Sequence, residues 1–388
     1  MSATAATGSR RVGIVGTGGI GLAMAAWCGN RGWPVAVWSP RGGSAGALRD
    51  GPLRATGVLE ASVPVTVVDT AAALVAGSDI VVIAVPANGH RTVIDALVPH
   101  LQAGQGVFVS ATSSLSALYL FELARSRGRE VEVAASGTTV LTARRTGPAE
   151  VRVLTRRASL GLSILGGKKA GQRQAGGAAL GIGAASASDA GARRRGCRAA
   201  LVDLFGDVFR PDANLLASTL ANTNPIAHAP LALFNWTRIE RGEDWPQYHY
   251  LTPRVAEVIE RLDVERQALA AAFGLAVPGL ARHLAQSFGV PEAPLAEMAA
   301  ELHRRRGGPP GPVETDTRYL SEDVPFGLAF LLALGRLGAV ALPATEAVVA
   351  AADLITGRNA QGDNDLIPAL GIERETPGGL LLRVGVAG

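Results

Sequence analysis

The chain has 388 residues, 48% of them hydrophobic, with 37 Lys+Arg against 33 Asp+Glu and a formal net charge of +4. That length supports two domains with cores of their own, and so small a net charge on scattered arginines argues against a nucleic acid partner. Two distant cysteines, Cys28 and Cys197, with no C-x-x-C pair and no secretory signal ahead of them, fit a reducing cytoplasm; no Cys/His cluster or G-x-S-x-G elbow supports a metal centre or a serine hydrolase.

Arg11–Gly29 reads as a strand, a tight turn and a small-residue helix. Gly16, Gly18 and Gly21 have G-x-G-x-x-G spacing between Val12–Val15 and the helical run that starts at Ile20. The first glycine permits the turn, the second lets a pyrophosphate reach the backbone, and the third lets helix and strand pack closely. Gly19 and Ile20 then open the helix, with their N–H groups toward the phosphates. Trp33–Trp38 is the next expected strand, and it ends in Ser39-Pro40-Arg41 with no carboxylate for the ribose hydroxyls. Ser39 and Arg41 suit a 2′-phosphate, so NADPH is expected over NADH. Arg41 also reads as an ordinary solvated loop arginine.

Further strands are expected at Val63–Val68, Ile80–Val85, Val107–Ser110, Val131–Ala135 and Val151–Thr155, with helices near Ala71–Ala76 and Ile94–Leu101. Alternating strands and helices imply right-handed crossovers in a doubly wound parallel sheet, an α/β Rossmann domain over residues 1–211. Val85 and Pro86 would border the nicotinamide where the chain leaves the sheet. Gly166–Gly196, rich in Gly, Ala, Ser and basic residues, reads as a flexible surface insertion, followed by a helix over Ala199–Phe209.

Residues 212–388 read as all-α. Leu215–Leu220 leads to Asn222-Thr-Asn-Pro-Ile-Ala-His228, where Asn224 would cap a helix with Pro225 in its first position. Val255, Val258, Ile259, Leu262, Leu269 and Phe273 mark an amphipathic helix ending near Gly274, with Glu257 placed to pair with Arg261. Two apolar helices follow, about Pro325–Leu337 and Pro343–Ile355. The longest apolar run, Pro325–Pro343, is broken by Arg336 and reads as a buried helix, so no membrane association is expected. Read singly, His228 is an ordinary structural histidine and Asp323 a helix cap. Trp236, Trp245, Tyr248 and Tyr250 suit either an amine pocket or the core. Bulky helices here would allow a homodimer.

Taken together, N-x-N-P-x-x-H-x-P at 222–230, Arg254–Arg266 and R-Y-x-x-E-D-V-P-F-G-L at 318–328 resemble the opine dehydrogenases, over nearly the whole chain outside the insertion. The resemblance implies reductive condensation of a 2-oxo acid such as pyruvate with an amino acid or amine. It implies that His228 is the acid that protonates and polarises the carbonyl or imine, that Asp323 orients and stabilises His228, and that Arg318 holds the oxo acid's carboxylate; Asn224 lies in the same motif as a substrate contact. The sequence departs from the family after the fifth strand, where Ser110–Ala117 replaces a glycine-rich turn. It departs again after the sixth, where Ser136-Gly137-Thr138-Thr139 replaces Glu-Thr. The second change makes arginine a poor amino substrate, while Thr138 is available to a substrate carboxylate. Two readings compete: a ketone reductase of the hydroxyacid or ketopantoate type, and a non-catalytic NADPH sensor. The reductases usually rely on a lysine acid, and the only lysines are Lys168 and Lys169, inside the insertion.

Overall fold

The computed structural model describes residues 10–166, 196–307 and 309–385. The expected insertion lies outside the described residues apart from its end glycines. The strands are β1 (Val12–Val15), β2 (Val35–Trp38), β3 (Leu53–Gly57), β4 (Ala61–Val63), β5 (Thr66–Val67), β6 (Ile80–Ile83), β7 (Gly106–Val109), β8 (Glu132–Ala135), β9 (Leu141–Gly147), β10 (Glu150–Arg156), β11 (Leu160–Leu165) and β12 (Phe209–Pro211). Eight form one sheet in the order β12-β11-β8-β7-β6-β1-β2-β5. From β8 to β5 every pairing is parallel, and β11 closes against β8 antiparallel. β1, β6 and β7 are continuous apolar runs buried along their whole length, as strands covered by helices on both faces must be.

The covering helices are α1 (Gly19–Asn30), α2 (Ala71–Ala76), α3 (His90–Leu97), α4 (Ser116–Ser126) and α5 (Cys197–Phe205). Thr70 starts α2 by accepting the Ala73 N–H at 3.1 Å. α1, α5 and a second sheet cover one face of the main sheet, and α2, α3 and α4 cover the other. Phe108, Phe205 and Phe209 pack edge-on or tilted, with centroids 6.0–6.4 Å apart. Such pairs contribute about 0.5–1.5 kcal/mol each beyond burial, which pins α5 and β12 to the sheet.

The second sheet, in the order β4-β3-β10-β9, is absent from the sequence-based expectation. It splits the strand expected at Val63–Val68: β4 belongs to this sheet and β5 to the main one. Val151–Thr155 is a strand as expected, but it pairs with β3 and β9 here instead of extending the parallel sheet. The helix expected over Ala199–Phe209 stops at Phe205, because Gly206 takes φ 81° and the chain turns back to pair with β11.

The C-terminal half comprises α6 (Leu215–Leu220), α7 (Asn224–Leu233), α8 (Trp236–Glu240), α9 (Pro253–Ala272), α10 (Leu280–Phe288), α11 (Leu295–Arg306), α12 (Arg318–Ser321), a π-helical turn (Val324–Ala329), α13 (Phe330–Leu337) and α14 (Pro343–Thr356), then short helices ending with Pro377–Arg383. α9 buries Val255, Ile259, Leu262 and Leu269, each worth roughly 1.5–3 kcal/mol of transfer free energy. Glu257 pairs with Arg254, one turn back, and not with Arg261. Trp245 is fully buried core, its Nε1–H donating to Pro312 O at 3.0 Å. The core of this half runs without a break into the face covered by α2, α3 and α4. Among the described residues no helix is long and apolar enough to cross a membrane.

Candidate active site

The glycine turn joins β1 to α1. Gly16 has φ +108°, and a Cβ there would stand 2.5 Å from Ala84 O and 2.9 Å from the Val85 side chain, so only glycine brings the turn against the end of β6. A Cβ on Gly21 would lie 2.0 Å from Gly16 O, whereas one on Gly18 would meet nothing within 4 Å. Gly18 also caps α1 with no side chain, leaving the first-turn N–H groups of Gly19, Ile20 and Gly21 for an anion. A dinucleotide pyrophosphate fits this cradle. β9 lies across its far side: a Cβ on Gly19 would sit 3.0 Å from Arg145 N, and Arg145 Nη1 donates to Thr17 O at 3.0 Å. At the end of β2, Gly42 N–H bonds Ser39 O at 3.0 Å, closing a turn that leaves Arg41 exposed. Val85 and Pro86 follow β6 at the same edge, and Val85 O accepts from the fully buried His90 at 3.1 Å.

His228 lies in the second turn of α7. Asn222 Oδ1 accepts the Asn224 N–H at 3.1 Å, so the capping side chain is Asn222; Asn224 is the first helical residue and Pro225 the second, not the first. The π-helical turn reaches α7 because Gly327 has no side chain: a Cβ there would stand 2.3 Å from Pro225. Asp323, just before that turn, accepts from His228 Nδ1 at 2.7 Å. Instead of capping its own helix, the carboxylate fixes the imidazole, and Nε2 has no partner among the described residues. Tyr319 stacks on the ring at 3.9 Å between centroids and 2° between planes, and Gln247 holds its hydroxyl.

The guanidinium of Arg318, one residue before Tyr319, makes no hydrogen bond among the described residues and lies 5.9 Å from the Tyr319 ring. The residue as a whole is exposed although protein crowds its charged end. Burial alone would lower its pKa, but Asp323, Glu322 and Tyr319 together outweigh that and hold it above the ordinary value. Glu322 carries no sequence signal separate from its neighbour. Its Oε1 accepts the Ala87 N–H at 2.8 Å, tying the Asp323 segment to the loop after β6. Burial, and then the Asp323 charge, push its carboxyl upward.

Asn224 stands one helical turn before His228 in α7. Gly137 backs onto Ser218 O, at 2.2 Å from a hypothetical Cβ, and so sets the Thr138 loop beside the chain that leads into α7. Arg157, which no local pattern marks, reaches the same loop: its Nε donates to Thr139 O at 2.9 Å and its Nη2 lies 3.4 Å from Thr138 Oγ1. The turn after β7 is buried, and within it Ser110 Oγ has no partner among the described residues.

Comparison with known proteins agrees with both halves. Residues 211–356 match the family model described as NAD/NADP octopine/nopaline dehydrogenase, alpha-helical domain, and residues 11–117 match the N-terminus of NAD-dependent glycerol-3-phosphate dehydrogenase. An opine dehydrogenase from Arthrobacter sp. (strain 1C) is 26% identical over 380 residues, covering 96% of this chain and 98% of the relative. Of solved structures, an octopine dehydrogenase in complex with NADH and agmatine superposes with a TM-score of 0.73 at 16% identity, covering 96% of this chain and 98% of that one. An NADP+-bound yersinopine dehydrogenase gives 0.70 at 17% identity, covering 94% and 98%.

Proposed function

We propose, for a chain whose residues 211–356 match the octopine/nopaline dehydrogenase alpha-helical domain, the NADPH-dependent condensation of a pyruvate-like 2-oxo acid with the amino group of an amino acid or amine. The product is a secondary amine, an N-(1-carboxyalkyl) amino acid when the partner is an amino acid. The observation that carries this reading is the His228–Asp323 pair at 2.7 Å with the Arg318 guanidinium beside it. In support, the Arthrobacter opine dehydrogenase aligns with this chain over 98% of its own length.

The amine nitrogen bonds to the oxo carbon and water leaves, giving a C=N bond. A nicotinamide dinucleotide held at the Gly16–Gly21 turn and the start of α1 would supply the hydride to that carbon. Arg318 holds the oxo acid's carboxylate in a planar fork. His228 gives its Nε2–H to the carbonyl oxygen as it departs as water, takes a proton back from the nitrogen as the C=N bond forms, and returns that proton to the nitrogen when hydride reaches carbon. Asp323 keeps the proton on Nδ1 and stabilises the imidazolium form. Glu322, by holding Ala87, keeps the dyad in register with the loop that would border the nicotinamide. Thr138 and Asn224 would line the amino side. For the cofactor, the exposed Arg41 and the missing carboxylate after β2 favour the 2′-phosphate of NADPH.

The test follows NADPH absorbance with pyruvate and a panel of amino acids and amines, each component also alone, with NADH in parallel. Oxidation only when both reactants are present is expected. Oxidation by pyruvate alone would make the protein a ketone reductase, and faster NADH would overturn the reading of Arg41. H228A should lower kcat by roughly 10²–10⁴-fold with NADPH affinity retained; unchanged turnover would remove His228 as the acid.

A further inference from the structure

Two of the arginines elsewhere in the molecule that are buried or half-buried have carboxylates as partners. Arg266 bonds Asp263 Oδ1 through Nε at 3.0 Å and Nη2 at 2.6 Å, and Arg383 bonds Glu122 twice at 2.8 Å and Glu375 at 2.8 Å. Arg157 is different. It is half-buried, and its hydrogen bonds go to neutral oxygens only: Thr139 O, Ser287 Oγ at 2.9 Å and, more weakly, Thr138 Oγ1. Among the described residues no carboxylate pairs with it. Burial depresses its pKa, which is the sign of a cation crowded by protein without a counter-ion. Neighbouring side chains do not supply one. Asp263 is committed to Arg266, Gln267 and the Leu280 N–H. His283 is buried, and burial together with the charges of Arg157 and Arg266 lowers it to about 4, so it is neutral near pH 7.

The position of Arg157 gives that unmatched charge a purpose. Gly137, beside Thr138, packs against Ser218 O and Asn222 N, and Asn222 leads directly into the His228 helix. On the other side, Tyr248 is close enough to act on the charge of Arg157, and its neighbour Gln247 holds the Tyr319 ring that stacks on His228. The Arg318 guanidinium lies 5.9 Å from the same Tyr319 ring. The proposed product has two carboxylates, one from each reactant; Arg318 is placed for one of them, and Arg157 is a further guanidinium without a hydrogen-bonded carboxylate among the described residues.

We propose that Arg157, with Thr138 beside it, is the subsite for the α-carboxylate of the amino partner, which makes the enzyme selective for amino acids over simple amines. This rests on the condensation reading given above. Two N–H groups of the guanidinium remain for the carboxylate once Thr139, Ser287 and Thr138 have taken theirs, and the Thr138 hydroxyl adds a further donor.

The deciding experiment compares alanine with ethylamine and phenylalanine with phenethylamine, each with pyruvate and NADPH, in the wild type, R157Q and R157K. Wild-type kcat/KM should favour each amino acid over its decarboxylated amine. R157Q should cut that preference by roughly 10- to 100-fold through KM for the amino acid, leave KM for pyruvate in place, and be partly rescued in R157K. A wild type that uses ethylamine as well as alanine overturns the proposal without any variant. So does an R157Q that raises KM for pyruvate or keeps the full preference. Titrating 2,2′-iminodipropionate into NADP+-loaded protein separates this from the reading beneath it. If no condensation is found, weaker binding by R157Q than by wild type still supports the subsite. Equal binding, or none to the wild type, overturns it.

Discussion

Two turns at the carboxyl edge of the main sheet solve the same problem in opposite ways. The turn after β1 puts its positive φ on Gly16 and leaves Gly18 with open space above it. The turn after β7 has no glycine, yet Ala111, Ser114 and Leu115 take φ of 59°, 47° and 56°. Left-handed backbone costs roughly 1 kcal/mol at each such residue. Side-chain bonds from the rest of the molecule hold it in place. Ser114 Oγ donates to Phe326 O at 2.7 Å and accepts from Asn364 Nδ2 at 2.8 Å, while Ser116 Oγ bonds His90 Nδ1 at 2.8 Å. The first turn is shaped by its glycines, and a side chain on Gly18 would meet nothing within 4 Å. The second is shaped by the helical half, which fills it: Phe326 and Leu366 pack against Ala87 and Tyr119 beside it. A glycine turn is thus a place kept for a ligand, and a strained turn without glycine a place where the two halves are joined.

The contrast can be broken first at Gly21. G21A puts a methyl group 2.0 Å from Gly16 O, a backbone atom that cannot step aside. Overpacking of this kind costs about 3 kcal/mol or more, and NADPH affinity measured by fluorescence titration should fall at least 100-fold. Next in size is a pH effect confined to the second turn. His90 is fully buried and burial lowers it to about 4, so it folds neutral. The unfolded chain takes up its proton near pH 6.5, so this contribution is complete above that pH and is lost as pH falls from 6.5 toward 4, by about 3 kcal/mol in all. Thermal unfolding against pH should show that slope in the wild type and lose most of it in H90Q. S114A removes a donor to Phe326 O and an acceptor for Asn364; about 1–3 kcal/mol should appear as a lower urea midpoint, with NADPH affinity unchanged. The smallest effect is A111G, which should stabilise by roughly 0.5–1 kcal/mol because glycine accepts the positive φ without strain. A destabilised A111G would show that this backbone stores no strain.

The parts of the molecule that local pattern determines were legible in the sequence. Gly16, Gly18 and Gly21 announce their turn because chain geometry there depends on residues within one stretch, and β1, β6 and β7 are buried on both faces and therefore uniformly apolar. His228 and Asp323, 95 positions apart, come together to 2.7 Å, and only their two motifs read jointly pointed to that meeting. The second sheet was hidden because Leu141–Gly147 and Leu53–Gly57 are half-exposed, polar segments whose partners lie far along the chain. Arg157 was invisible for a related reason: an arginine in a charged stretch is distinguished only by what fails to pair with it. Glu322 was overshadowed by Asp323, and its bond to Ala87 spans 235 positions.

The pairing of β3 with β10 also sets an order of events as the chain folds. Arg54 opposite Glu150 joins two excursions from separate crossovers of the main sheet, so this contact is highly non-local. Loop-closure entropy makes such pairings slow compared with the α1 and α3 segments. β9, which buttresses Thr17 and Gly19, can settle only once β10 is in place. Affinity for the dinucleotide therefore matures late in refolding, after most helical signal has returned, and bound cofactor slows unfolding by bracing the piece that was added last.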